Sequence, residues 1–86
     1  MADIPYDDIL ARNIALIGRV CKKTASEDSR FIEDLELDSI DLVGLVSEME
    51  DEFGAFVPEE RLHVFRTVGE ATRCLHELLR EGDQVA

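Results

Sequence analysis

Apolar residues recur at helical spacing in three stretches of this chain, and no stretch carries the alternation of a half-buried strand. Between 4 and 20, Tyr6, Ile9, Leu10, Ile14, Ile17 and Val20 share one helix face. Pro5 suits the first turn of that helix. Asp7 and Asp8 suit the positive end of its dipole, and Arg19 and Lys22 the negative end. A second helix is predicted over 39–53. Leu42, Leu45, Val46, Met49 and Phe53 form its inner stripe, with Ile40, Val43 and Ser47 on an adjoining one. Gly54 ends it. A last helix is predicted over 68–81, with Val68, Ala71, Leu75, Leu78 and Leu79 inward and Gly82 as its stop. Thr67 and Glu70 have the spacing of a capping box at its start.

The segments between are less regular. Residues 21–37 keep no period and read as a long loop, pinned by Phe31, Ile32, Leu35 and Leu37 packing inward. A loop of that length in a small domain hints at function. Pro58 followed by "EERLHVF" predicts a short third helix. The fold class is therefore all-α: a small four-helix bundle of three main helices and one short one, in a single domain spanning 1–86.

Composition adds little to that picture, but charge adds a good deal. The 86 residues are 45% apolar, enough for one modest core. The net charge is −11. Residues 33–60 hold eleven acids and no Lys or Arg, whereas acids and bases balance on either side. Nucleic acid and anionic membranes need basic surfaces, so neither is expected as a partner. Basic proteins are, drawn in by long-range steering. Cys21 and Cys74 form no CxxC pair, and no disulfide framework is expected, which fits a reducing cytoplasm. The N-terminus lacks the basic and apolar regions of a signal peptide, and no apolar run reaches membrane-spanning length.

The candidate chemistry sits at "ELDSIDLVGL". Asp38 fits the N-cap of the second helix and Ser39 its first position. An ordinary helix start satisfies that spacing. Three features point further. Ser39 lies beside unpaired backbone N–H groups, where a phosphate ester is favoured. It opens the most acidic helix of the chain, and Ile40 and Val43 stand near it on the stripe beside the inner face. Exposed apolar residues there are suited to touching a partner, although they also serve simply to widen the core stripe.

From "FIEDLELDSIDLVGLVSEMEDEFGAFVPEE" through "RTVGEATRCL", the chain resembles the acyl carrier proteins. That family shows Asp-Ser-Leu at the second helix start after a short "EDL" segment, then apolar positions, an acidic run, Phe, and Ile/Val-Pro. Here these are Asp38-Ser39-Ile40, "EDL" at 33–35, "EMEDEF" at 48–53 and Val57-Pro58. The resemblance implies that a phosphopantetheinyl transferase joins 4′-phosphopantetheine from coenzyme A to Ser39, with Asp38 beside it. The arm's thiol, rather than Cys21 or Cys74, then holds acyl groups as thioesters. It implies a carrier rather than an enzyme, monomeric and cytoplasmic. Its partners would be the transferase, acyl-carrier synthetases, ketosynthases and acyltransferases with basic docking patches. Ile40, Asp41, Val43, Ser47, Glu48, Glu50 and Asp51 would meet them. Leu42, Leu45, Val46, Leu62 and Leu75 would line an acyl cavity while serving as core.

The chain departs from the common pattern in places. Glu36 stands where "LGxDS" has Gly, Ile40 replaces Leu, Gly44 stands where primary carriers tend to have an acid, and Ser47 where they often place a bulky apolar residue. "RLHVFR" is more basic and aromatic than usual. These departures point to a specialised carrier, for lipid modification or secondary metabolism, at least as much as to the general fatty-acid one. A D-alanyl or peptidyl carrier shares the arm and differs in cargo; an unmodified acidic adaptor leaves Ser39 untouched.

Other classes fit poorly. A calcium loop starting at Asp34 would put Ser39 at the sharp-turn glycine and Leu45 at the bidentate glutamate. A serine hydrolase lacks its GxSxG elbow, with only His63 and His76 as bases. Cys21, Cys74, His63 and His76 have no zinc-ligand spacing, so no metal site is expected.

Overall fold

A computed structural model describes the backbone of residues 4–85 and the side chains of 4–81. Among the described residues it contains four helices, three of them long: α1 (Tyr6–Cys21), α2 (Ser39–Phe53), a single-stretch 3₁₀ helix (Glu59–Val64) and α3 (Val68–Val85). α1 packs mainly against α3 and also against α2, and the 3₁₀ helix lies on α3. Ile9, Leu16 and Ile17 of α1, Leu45, Met49 and Phe53 of α2, and Val68, Ala71 and Leu75 of α3 meet in one buried core with Phe31, Leu35, Val57 and Phe65.

Boundaries shift for local reasons. The first helix starts at Tyr6 rather than 4: Pro5 sits outside the first turn as an extended N-cap at ψ 147°. The helix ends where Lys22 turns left-handed at φ 57°. Val20 was expected inward but is 44% exposed, two residues from that end, where the core has already closed. Gly54 ends α2 as expected, at φ 65°, a conformation glycine adopts without steric cost. α3 does not stop at 81. It continues through Gly82 to Val85, because a glycine ends a helix only when its backbone turns left-handed.

The irregular segment 21–37 is anchored through its backbone. Phe31 N donates to Arg66 O (3.0 Å), Val68 N to Ser29 O (3.0 Å) and Gly69 N to Glu27 O (2.8 Å), forming one isolated bridge between Arg30 and Thr67. Phe31 and Leu35 are buried, and Leu37 is half-buried. Ile32, expected inward, is 50% exposed, since the turn that buries Phe31 faces its neighbour outward.

Polar contacts tie the helices. Asn13 Nδ2 donates to Thr72 Oγ1 (3.0 Å), whose hydroxyl donates to Val68 O (2.8 Å). Both side chains are fully buried, and Asn13 Oδ1 has no partner among the described residues. Arg12 lies over the Phe53 ring at 4.9 Å and pairs with Glu52 at 3.1 Å, joining α1 to α2. Thr67 and Glu70 form the expected capping box: Glu70 N donates to Thr67 Oγ1 and Thr67 N to Glu70 Oε1, both at 3.1 Å. No described helix is long and apolar enough to cross a membrane.

Candidate functional site

The start of α2 is built by a reciprocal cap. Asp38, extended at φ −94°, accepts from Asp41 N through Oδ1 at 2.7 Å. Asp41 reaches back to Asp38 N at 3.4 Å. Leu42 N donates to Asp38 O at 2.9 Å. These contacts use the donors of Asp41 and Leu42, leaving the Ser39 and Ile40 N–H groups without partners among the described residues. Ser39 is the first helical residue of a 15-residue helix and is exposed. Its hydroxyl therefore stands beside two free backbone donors at the positive end of a helix dipole, a setting that suits a phosphodiester oxygen. Asp38 and Asp41 oppose a second negative charge there, so the dipole and the free N–H groups carry the fit.

The segment leading to Ser39 is strained at one residue. Glu36 has φ 60°, in the left-handed region that side-chain-bearing residues rarely adopt. This is the position where the common family pattern has Gly. Lys23 Nζ pairs with Glu36 Oε1 at 3.2 Å, across an exposed surface. That pair adds little on its own.

The expected partner-facing residues divide. Ile40 is 80% exposed and Val43 57%, so neither widens the core; Asp41, Ser47, Glu48 and Asp51 are exposed as well. Glu50 departs from that set. Its Oε2 accepts from Val57 N at 2.7 Å, holding the chain after Gly54 against α2, and it is half-buried. Its position one turn before the helix end brings it under the returning loop. Glu52 is exposed but pairs with Arg12 and Arg19 of α1. Of the expected partner-facing set, Asp41, Glu48 and Asp51 are the exposed acids.

Of the expected acyl-cavity residues, Leu45, Val46 and Leu75 lie in the buried core, with Leu42 and Leu62 half-buried against it. The structure brings all five into one apolar cluster. A groove beside Ser39 lies elsewhere, between the end of α1 and α2. It has a volume of about 350 Å³ and includes Leu45 alone of that set, with Val20, Cys21, Leu37, Ile40 and Gly44. Sequence reasoning missed this groove because it depends on Val20 staying outside the core. Burial raises the Cys21 thiol, and it raises Cys74 despite the opposing Arg61, so neither is an activated thiolate.

A small helical bundle with an exposed serine at a capped helix start defines a class. The family described as "Phosphopantetheine attachment site" matches residues 14–75, and the chain belongs to it. A protein of Lactobacillus acidophilus (strain ATCC 700396 / NCK56 / N2 / NCFM), named "Acyl carrier protein", is 41% identical over 64 residues, covering 74% of this chain and 75% of that one. The chain is an acyl carrier that works through 4′-phosphopantetheine and meets biosynthetic enzymes.

Proposed function

We propose that Ser39 is the attachment residue and that the domain itself catalyses nothing. The observation that carries this reading is the exposed Ser39 hydroxyl beside two free backbone N–H groups at a helix start fixed by Asp38 and Asp41. Ser39 Oγ attacks the phosphorus of coenzyme A that bears the pantetheine; a new P–O bond forms as the pyrophosphate bond breaks. The adenosine bisphosphate leaves, and the serine proton passes to a base of the transferase. The Ser39 and Ile40 N–H groups are placed to donate to the resulting phosphodiester. When attached, the arm supplies a thiol that holds acyl groups as thioesters.

The partners are a phosphopantetheinyl transferase, synthetases that load acyl groups, and ketosynthases or acyltransferases, all presenting basic patches. Asp41, Glu48 and Asp51 face them, with Ile40, Val43 and Ser47 between. Such exposed pairings favour quick encounter and release. The carrier works in the cytoplasm as a monomer. Glu36, Gly44, Ser47 and the "RLHVFR" segment support a specialised pathway, in lipid modification or secondary metabolism. Leu42, Leu45, Val46, Leu62 and Leu75 shelter the acyl chain by parting within the core.

Acyl loading tests the location of the thiol. A Cys21→Ser/Cys74→Ser variant carrying the arm is expected to take up a hydroxylamine-sensitive acyl group fully. Loss of loading in that variant, with the arm present by mass, would place the thioester on the chain's own cysteines.

A further inference from the structure

Gly44 lies in the middle of α2, exposed, where a β-carbon would meet nothing within 4 Å. Nothing among the described residues requires a glycine there, yet a mid-helix glycine costs about 1 kcal/mol relative to alanine. Local rules broken without internal compensation tend to mark functional surfaces. The surroundings agree. Ile40, Gly44 and Glu48 follow one another at four-residue spacing, so they form one ridge with a gap at its centre. That gap opens the groove of about 350 Å³ whose walls are Val20, Leu37, Ile40 and Leu45 and whose acids are Asp41 and Glu48. Three of the large apolar side chains left exposed, Val20, Ile40 and Val43, lie on or beside it. Among the described residues, the groove is lined by acids and apolar groups with no base. What fits it is a large apolar side chain flanked by Lys or Arg.

We infer that Gly44 is a specificity notch: it admits an apolar side chain from the basic docking face of the phosphopantetheinyl transferase into the groove between α1 and α2. This rests on the assignment of Ser39 as the attachment residue. The transferase must bring coenzyme A to Ser39 Oγ, and Gly44 is five residues on, about 7–8 Å along the helix. A protein seated on Ser39 covers it. Charge complementarity selects such a partner, because Asp41 and Glu48 lie at the groove and repel acidic surfaces. The contact is specific to this chain in that it depends on the missing side chain.

The test is steady-state modification of the apo protein by a broad-specificity transferase with coenzyme A. Gly44→Leu fills the notch on an exposed, helix-compatible position, so it folds; a thermal melt checks that its Tm is not below wild type. KM is expected to rise about tenfold with kcat within about twofold, since one well-seated apolar group is worth that much in recognition. Gly44→Ala is expected to raise KM far less. Ala11→Leu places the same side chain at an exposed position of α1 outside the groove and is expected to leave KM unchanged. An unchanged KM for Gly44→Leu would overturn the inference, as would an equal rise for Ala11→Leu. So would an unchanged KM joined to a shift of the Gly44 amide resonance on attachment of the arm, which would make the groove the arm's own resting place. Failure of wild-type protein to be modified at Ser39 would instead overturn the attachment assignment.

Discussion

Ser39 and the residues beside it set what the site can do, and one of them, Glu36, carries backbone strain. Glu36 holds a left-handed backbone at φ 60° two residues before the cap. Glu36→Gly should stabilise the fold by roughly 0.5–1 kcal/mol. The relieved strain outweighs both the lost surface pair with Lys23 and the added freedom of the unfolded chain. Chemical denaturation with an unchanged m-value checks it. A fall in stability would mean that Glu36 makes a tighter contact than its exposed pair with Lys23. Away from the site, at the start of α1, Tyr6 carries a shifted titration. Its hydroxyl donates to Glu27 Oε2 at 2.7 Å, and desolvation followed by that carboxylate pushes its pKa from 10.0 up to about 12. A raised pKa means the neutral phenol stabilises the fold below pH 10, and that contribution is lost as pH rises toward 12. Stability should therefore fall through that window, and Tyr6→Phe should flatten the fall. An identical alkaline slope in Tyr6→Phe would place the titration elsewhere.

The helices were legible wherever one local signal decided them. The second helix start was, because Asp38 and Asp41 act within four residues of one another. So was the Thr67–Glu70 box, for the same reason. Thr67→Ala should cost about 1 kcal/mol, read by thermal or chemical unfolding. What depends on partners distant in sequence was not legible. The inward turn of Glu50 depends on a loop that returns to it, and the exposure of Val20 and Ile32 on where the core closes. The continuation of α3 past Gly82 depends on a backbone choice that glycine leaves open. The buried Asn13–Thr72 pair joins residues 59 apart, so no window along the chain reveals it. Thr72→Val strands the Asn13 amide and should destabilise by about 1–3 kcal/mol. The Asn13→Leu/Thr72→Val double variant should recover much of that loss, since it removes both partners and the unpaired Asn13 Oδ1 together. Double-mutant denaturation decides it; additive losses would show that the pair is not coupled.

Across the whole molecule, charge and shape converge on the exposed side of α2. Residues 33–60 supply eleven acids without a base; the structure ties Glu50 to Val57 N and pairs Glu52 with Arg12 at the surface, and it leaves Asp41, Glu48 and Asp51 outward. Exposed Ile40 and Val43 stand among them, next to Ser39. The rest of the molecule serves to hold that surface: α1 and α3 build the core, and the loop bound to Arg66, Val68 and Gly69 fixes the approach to the cap. The most direct measurement is the intact mass of the protein after incubation with a broad-specificity phosphopantetheinyl transferase and coenzyme A, alongside folded Ser39→Ala. One added phosphopantetheine on the wild type and none on the alanine variant is the predicted result. Equal gain in both, or none in folded wild-type protein that starts unmodified, would contradict the account.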